Sequence, residues 1–152
     1  MNLIGQNARK ASLEKISTKI KNKILKRYAS LLHKERNSII TENIKDIKFS
    51  LKKGLKNNLI DRLAVDHKKL DNIKDSINKI IKLKDPVNKT LEKWSRPNGL
   101  KIKRVSIPIG VVGVIYESRP NVTSDVASLC FKSGNAVILK GGSEAINTNK
   151  IL

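Results

Sequence analysis

Val111-Val112-Gly113-Val114-Ile115-Tyr116 and Ala136-Val137-Ile138-Leu139 are the two stretches that decide the fold. Each is a short, continuous apolar run rich in Val and Ile, the pattern of a strand buried on both faces. Between them, Asn121 to Lys132 suits a helix with Val122, Val126, Leu129 and Cys130 on one side, and Ser133-Gly134-Asn135 makes a turn. Strand, helix and strand joined by short connections form a βαβ unit, which implies a parallel sheet. A second helix is expected from Glu144 onward. Two fully apolar strands call for further strands and helices around them, so the sequence reads as a piece of a larger α/β protein.

Upstream of residue 100 the apolar spacing is helical. Ile16, Ile20 and Ile24 recur every four residues, joined by Leu25, Tyr28, Leu31 and Leu32, and Ser17 is placed to cap that segment. A further helix starts after Asn37, with Ile39, Ile40, Ile44 and Ile47 inward, and stops at Gly54. Asp66 caps a third, whose stripe is Leu70, Ile73, Ile77, Ile80 and Ile81 and whose end is set by Asp85-Pro86. Pro86 to Gly99 reads as a loop containing Trp94. Leu100 to Val105 alternates as a half-buried strand. The expected division is a helical leader over 1–99 and the first βαβ part of a parallel α/β domain, which the resemblance given below makes the NADP-binding one, over 100–152.

Composition narrows the function classes. The 152 residues carry a formal net charge of +19, which favours phosphate-bearing partners. Yet 25 of the basic residues are Lys and only 7 are Arg, the side chain suited to bidentate phosphate and guanine contacts. Aromatic residues for base stacking make up 3%. The charge therefore reads as Lys on solvated helix faces, with a basic nucleic-acid-binding or scaffold protein as the alternative. A single cysteine gives no internal disulfide and no cysteine-built metal site, and no metal is expected. No stretch is long and apolar enough to span a membrane, and no secretory signal is recognised, so the expectation is a cytoplasmic protein.

Ligands of parallel α/β sheets bind at the carboxyl ends of the strands. The first such end is Tyr116-Glu117-Ser118-Arg119-Pro120-Asn121. Arg119 can grip a phosphate or carboxylate and Asn121 can donate to a developing oxyanion, or Pro120 and Asn121 simply turn the chain and cap the helix. The second is Lys140-Gly141-Gly142-Ser143-Glu144, where glycines let a ligand approach the backbone and Lys140 adds charge. The alternative is an ordinary Gly-Gly turn. His33 and His67 read as surface residues, and Cys130 as a buried, inert thiol.

The segment Val105 to Thr123, with Asp125 to Cys130 and Lys132 to Gly142, closely resembles the gamma-glutamyl phosphate reductase family of the aldehyde dehydrogenase superfamily. Asn58-Leu59-Ile60-Asp61-Arg62-Leu63 and Leu83-Lys84-Asp85-Pro86-Val87 are similar to that family's helical leader. The resemblance implies an aldehyde-dehydrogenase-like, Rossmann-type sheet of which this chain holds the start. It implies an oxidoreductase of proline biosynthesis that uses NADP(H) to reduce L-glutamyl 5-phosphate to L-glutamate 5-semialdehyde, by way of an acyl group carried on a cysteine. It implies cofactor contacts at Tyr116, Glu117, Lys140, Gly141, Gly142, Ser143 and Glu144, with Lys140 meeting the adenosine ribose or its 2′-phosphate. It makes Asn121 the oxyanion donor, and the charge of Arg119 then makes it a contact for the phosphate or glutamyl group of the substrate. The family's nucleophilic cysteine lies in a later catalytic domain that this sequence lacks, and Cys130 is not its equivalent. The expectation is a chain inactive alone, completed by a separately encoded catalytic half or a homo-oligomer, or else a nonfunctional remnant.

Overall fold

The computed structural model describes residues 2–152 as five helices, a hairpin and a βαβ unit followed by a short helix. Helices α1 (Asn2–Ser12), α2 (Thr18–Lys34), α3 (Arg36–Lys52), α4 (Asn57–Leu63) and α5 (His67–Lys82) come first. Strands β1 (Thr90–Ser95) and β2 (Lys101–Val105) form an antiparallel pair. Strand β3 (Val111–Tyr116), helix α6 (Pro120–Lys132) and strand β4 (Ala136–Gly141) form the expected unit, and β3 and β4 pair in parallel. A single tight turn over Ser143–Ala145 leads into α7 (Ile146–Ile151), so the helix expected from Glu144 is divided in two. No described helix is long and apolar enough to cross a membrane.

Both expected helix caps form. The Ser17 hydroxyl accepts from Ile20 N–H at 3.4 Å, and Asp66 accepts from Lys69 N–H at 2.6 Å. Each satisfies an amide that the first helical turn leaves open. The stripe of α5 is buried as its spacing predicts, with Leu70, Ile73, Ile77 and Ile80 closed off and Ile81 half-buried. It packs with Leu25, Ala29 and Leu32 of α2, Ile39 of α3 and Val65 into one core, and Tyr28 and Phe131 lean on it.

Elsewhere the buried faces differ from the apolar pattern. In α2, Ile20 and Ile24 are 51% and 46% exposed, while the buried positions are Lys21, Leu25, Ala29 and Leu32. The face is rotated by one residue because Lys21 is taken inward by an ion pair. In α3 the buried residues are Ile39, Asn43, Asp46 and Ser50, and Ile44 faces solvent. In α6, Leu129 is exposed and Thr123, Ser124 and Ser128 are buried beside Cys130. Polar partners on neighbouring elements outweigh the apolar periodicity in both helices.

The stretch read as a loop around Trp94 holds β1. Trp94 lies opposite Ile102, and Glu92 opposite Arg104 with a 2.9 Å ion pair between them. Pro97-Asn98-Gly99 closes the hairpin, with Gly99 at φ +82. The hairpin stands in solvent, so β2 is exposed apart from half-buried Ile102 rather than half-buried throughout. Strands β3 and β4 are half-buried, not closed on both faces, and Ile115 is 79% exposed. A two-stranded sheet leaves both long edges open, and α1 and α6 cover only part of what remains.

The two stretches on either side of residue 100 are joined through buried charge. Lys21 Nζ lies 3.0 Å from Asp85 Oδ2 and donates to the Lys132 carbonyl at 3.2 Å. Lys132 Nζ donates to Asn22 Oδ1 and to the Ile81 carbonyl. Asp85 also accepts from Thr18 Oγ1 and from Val87 N–H. Burial pushes the Lys132 amine down from its ordinary value, against the pull of Asp85 and together with the repulsion from Lys21. Asp85 sits below its ordinary value: burial works to raise it, and the hydrogen bonds from Val87, Thr18 and Lys21 outweigh that. Removing one member of a buried pair leaves the other uncompensated, at a cost of about 3–5 kcal/mol. Asp85→Ala and Lys21→Ala are therefore each expected to lose about 3 kcal/mol or more in urea unfolding, and the double variant less than the sum of the two. Additive losses in the double variant would show that the pair is not what ties α2 to the turn after α5.

Candidate functional site

Parallel pairing sets Tyr116 beside Gly141 and Ile115 beside Lys140, so the loops that follow β3 and β4 leave the sheet side by side. After β3 the chain turns sharply. Ser118 is buried with φ +39, a conformation uncommon for a residue with a side chain, and Arg119 precedes Pro120 at the first position of α6. The helix-capping position is thus Arg119, not Asn121.

Glu144 holds this turn. Its Oε1 accepts from Ser118 N–H at 2.6 Å and from Ser118 Oγ at 3.1 Å. A second chain of bonds runs beneath. The Tyr116 hydroxyl donates to Thr123 Oγ1 at 2.6 Å, and Thr123 donates to Asn149 Oδ1 at 2.9 Å. The two glycines between the loops are where these groups pack. A Cβ on Gly141 would collide with the Asn149 amide, and one on Gly142 with the Glu144 carboxylate. A neighbouring side chain therefore accounts for each glycine.

Burial acts to raise the Glu144 pKa. The hydrogen bonds from its own backbone N–H and from Ser118 outweigh burial and the repulsion of Asp46, so the carboxyl titrates below its ordinary value of 4.5. It is a fixed anion, and its contacts favour the charged form.

Helix α7, which carries Asn149, is itself fixed by α3. Asp46 Oδ2 accepts from Thr148 N–H at 2.7 Å and Thr148 Oγ1 at 2.6 Å, and its Oδ1 accepts from Asn147 N–H and Nδ2. Asn43 Nδ2 donates to Thr148 Oγ1 and to the Leu63 carbonyl, and Asn43 Oδ1 accepts from Val65 N–H. Ser118, Thr123, Asn149 and Asp46 were not singled out in the sequence. Asp46 and Asn43 did carry a signal, since together with Ile39 and Ser50 they mark one face of α3 at helical spacing.

The expected site residues fall into three groups. Tyr116, Gly141, Gly142 and Glu144 are engaged in the packing just described. Glu117, Lys140 and Ser143 are exposed at the strand ends, with no side-chain hydrogen bond or ion pair to other described residues, and Arg119 is exposed and unpaired in the same way. Asn121 is exposed on the first turn of α6, its amide donating to Asp125 Oδ2 at 3.3 Å. Cys130 lies inside α6 against the core, and burial pushes its thiol up from the ordinary value of 9.0, away from a reactive thiolate.

This arrangement has close counterparts. The chain is 45% identical over 152 residues to a gamma-glutamyl phosphate reductase of Clostridium botulinum, matching 99% of itself and 37% of that protein. It is 48% identical to that of Halothermothrix orenii, over 95% of itself and 36% of the relative. The crystal structure of the Thermotoga maritima protein of the same name superimposes with a TM-score of 0.90 at 42% identity, over 95% of this chain and 36% of that one. The chain resembles gamma-glutamyl phosphate reductase. The Saccharomyces cerevisiae structure agrees, with a TM-score of 0.91 at 36% identity. No protein-family model matches the chain. The chain spans a little over a third of the length of the curated relatives it matches.

The Glu144 bonds give a pH-dependent expectation. A carboxyl depressed in the folded state adds stability above its unfolded value, and that stability is lost as pH falls through the folded value. Glu144→Gln is expected to be less stable than the parent by about 1–3 kcal/mol at neutral pH, with the gap closing below about pH 4. Asp85, also depressed, titrates in both proteins and drops out of the difference. Urea unfolding at several pH values checks this, and a gap independent of pH would contradict it.

Proposed function

We propose that this chain is the N-terminal, cofactor-binding part of a gamma-glutamyl phosphate reductase that acts in the cytoplasm on L-glutamyl 5-phosphate in proline biosynthesis. The observation that carries the reading is the pair of strand-end loops clasped by Glu144 and Ser118, in a chain 45% identical to such a reductase. On this reading residues 1–99 are a helical leader and 100–152 open the nucleotide-binding domain.

The residues present fit a phosphorylated nicotinamide nucleotide. Lys140 is an exposed cation at the end of β4 with no side-chain partner among the described residues, which suits the 2′-phosphate of NADP(H). Ser143 and Glu117 are exposed beside it and offer hydrogen bonds to sugar hydroxyls. Tyr116 and Glu144 contribute by fixing the two loops, and Gly141 and Gly142 by leaving room for Asn149 and Glu144. When bound, the cofactor supplies a hydride. Arg119 contacts the acyl phosphate end of the substrate, and Asn121 donates to the oxygen on which negative charge develops. The nucleophile comes from residues outside this chain, since Cys130 is buried with a raised pKa. Those residues belong to a catalytic part carried on the same polypeptide or a separate one, and the protein so completed assembles as a homo-oligomer.

NADPH titrated into the purified 152-residue chain and followed by nucleotide fluorescence tests this. Saturable binding is expected, weakened about tenfold or more by Lys140→Ala, which corresponds to about 1.4 kcal/mol. NADH should bind more weakly than NADPH to the parent and equally to the variant. No binding at millimolar NADPH overturns the cofactor reading, and turnover of glutamyl phosphate by the chain alone overturns the placement of the nucleophile elsewhere.

A further inference from the structure

A cavity of about 270 Å³ opens between the first two turns of α6 and helices α4 and α5. Its walls include Arg62, Lys69, Asn72, Pro120, Asn121 and Asp125. The charges in it are unusual in how they are left. Asp125 Oδ1 is buried without a hydrogen-bond partner, and Oδ2 has only the 3.3 Å bond from Asn121. An ionised carboxylate has room for about four hydrogen bonds, so this one retains most of its unmet demand for a donor or cation. Lys69 does not answer it, because its Nζ is held by the Asp61 and Ala64 carbonyls. Arg62 lines the same cavity, is exposed, and pairs with no described residue, Asp125 included.

Asp125, whose Oδ2 takes one long bond while Oδ1 is closed off, and unpaired Arg62 thus line a single small cavity without meeting each other. A simple anion would be opposed by Asp125 and a simple cation by Arg62. A group carrying both charges satisfies both. We infer that this cavity binds the zwitterionic head of an α-amino acid, with its ammonium on Asp125 and its carboxylate on Arg62. The assignment deepens the reading above and rests on it for the substrate. The amino acid is the glutamyl end of L-glutamyl 5-phosphate, whose side chain then runs past Asn121 toward Arg119, the residue next to Pro120 in the cavity wall. Ammonium recognition by Asp125 and acyl-group recognition by Arg119 and Asn121 then fall within the cap and first two turns of α6.

The test uses the 152-residue chain labelled with ¹⁵N. L-glutamate is the probe, and two analogues each lack half of the head group: glutarate has no ammonium and 4-aminobutyrate has no α-carboxylate. Millimolar glutamate is expected to shift the amide signals of Arg62, Asn72, Asn121 and Asp125, with both analogues about tenfold weaker or worse. Arg62→Gln and Asp125→Asn should each weaken glutamate by a similar factor. Arg62 is on the surface, so its variant tests the assignment even where Asp125→Asn perturbs folding, which thermal unfolding of both variants reports. Glutarate binding as well as glutamate, no glutamate shifts at about 50 mM, or unchanged affinity in Arg62→Gln each overturns the assignment. NADPH titrated into the same samples separates the two readings. NADPH binding without glutamate binding removes only the cavity assignment, and glutamate binding without NADPH binding removes only the cofactor site.

Discussion

The carboxylate of Asp46, 1% exposed, is the point on which the arrangement of the two halves depends. It takes four donors from Asn147 and Thr148 and so binds α7 to α3. With α7 fixed, Asn149 stands against Gly141 and bonds Thr123, and the loop that carries Glu144 is brought within reach of Ser118. The strand-end loops are thus positioned from the helical half of the chain. A short helix such as α7 has little stability of its own, so the polar contacts at its start determine where it lies.

The charge of the chain divides into two kinds. Most of the 25 lysines lie on solvated faces, as a Lys-rich amphipathic helix requires. Lys21 and Lys132 do not. They are buried between α2, α5 and α6, where they bond Asp85, Asn22 and two backbone carbonyls. Buried amines are tolerated only when their hydrogens find acceptors, and here every acceptor lies on a different element from the amine it serves. The pair therefore specifies how the helices assemble as well as contributing to stability. This is why +19 reads as two separate properties: a diffuse surface field, and a small internal framework that gives no sign of itself in composition.

The sequence made the apolar parts of the fold legible and left its polar parts obscure. The α5 stripe, the two apolar strands, their parallel pairing and both side-chain caps are as the spacing predicts, because burial of Leu and Ile against one another obeys simple periodicity. The faces of α2, α3 and α6 are not, because Lys21, Asp46, Asn43 and Ser124 go inside. A buried polar residue is decided by a partner far along the chain, at separations of 101 and 102 residues for Asp46, and one-dimensional patterning has no access to that partner. Strand β1 was within reach: Asn98-Gly99 ahead of the alternating run from Leu100 is a hairpin signal that the loop reading of Pro86 to Gly99 leaves unused. At the strand ends, the residue types and their positions were legible, while the role of the glycines was not. A gap reserved for a side chain of the protein and a gap reserved for a ligand have the same sequence.

This last distinction bears on how the loops work. Ser118 holds a positive φ, a backbone state that costs about 1–3 kcal/mol and persists only where the surroundings over-determine it. Glu144 provides that determination with two charge-assisted bonds to one residue. The turn so fixed is the start of α6, and it directs Arg119 outward at one end of the sheet while presenting Pro120 and Asn121 to the cavity that contains Asp125. Lys140, four residues before Glu144, lies on the strand that feeds the same clasp. On the proposed reading, the groups assigned to two different ligands are therefore referenced to one part-buried bond rather than to separate loops. Reaction between two bound molecules requires their relative position to be held to within about an ångström. Loosening the clasp would leave each group in place on its own element and change the distance between them.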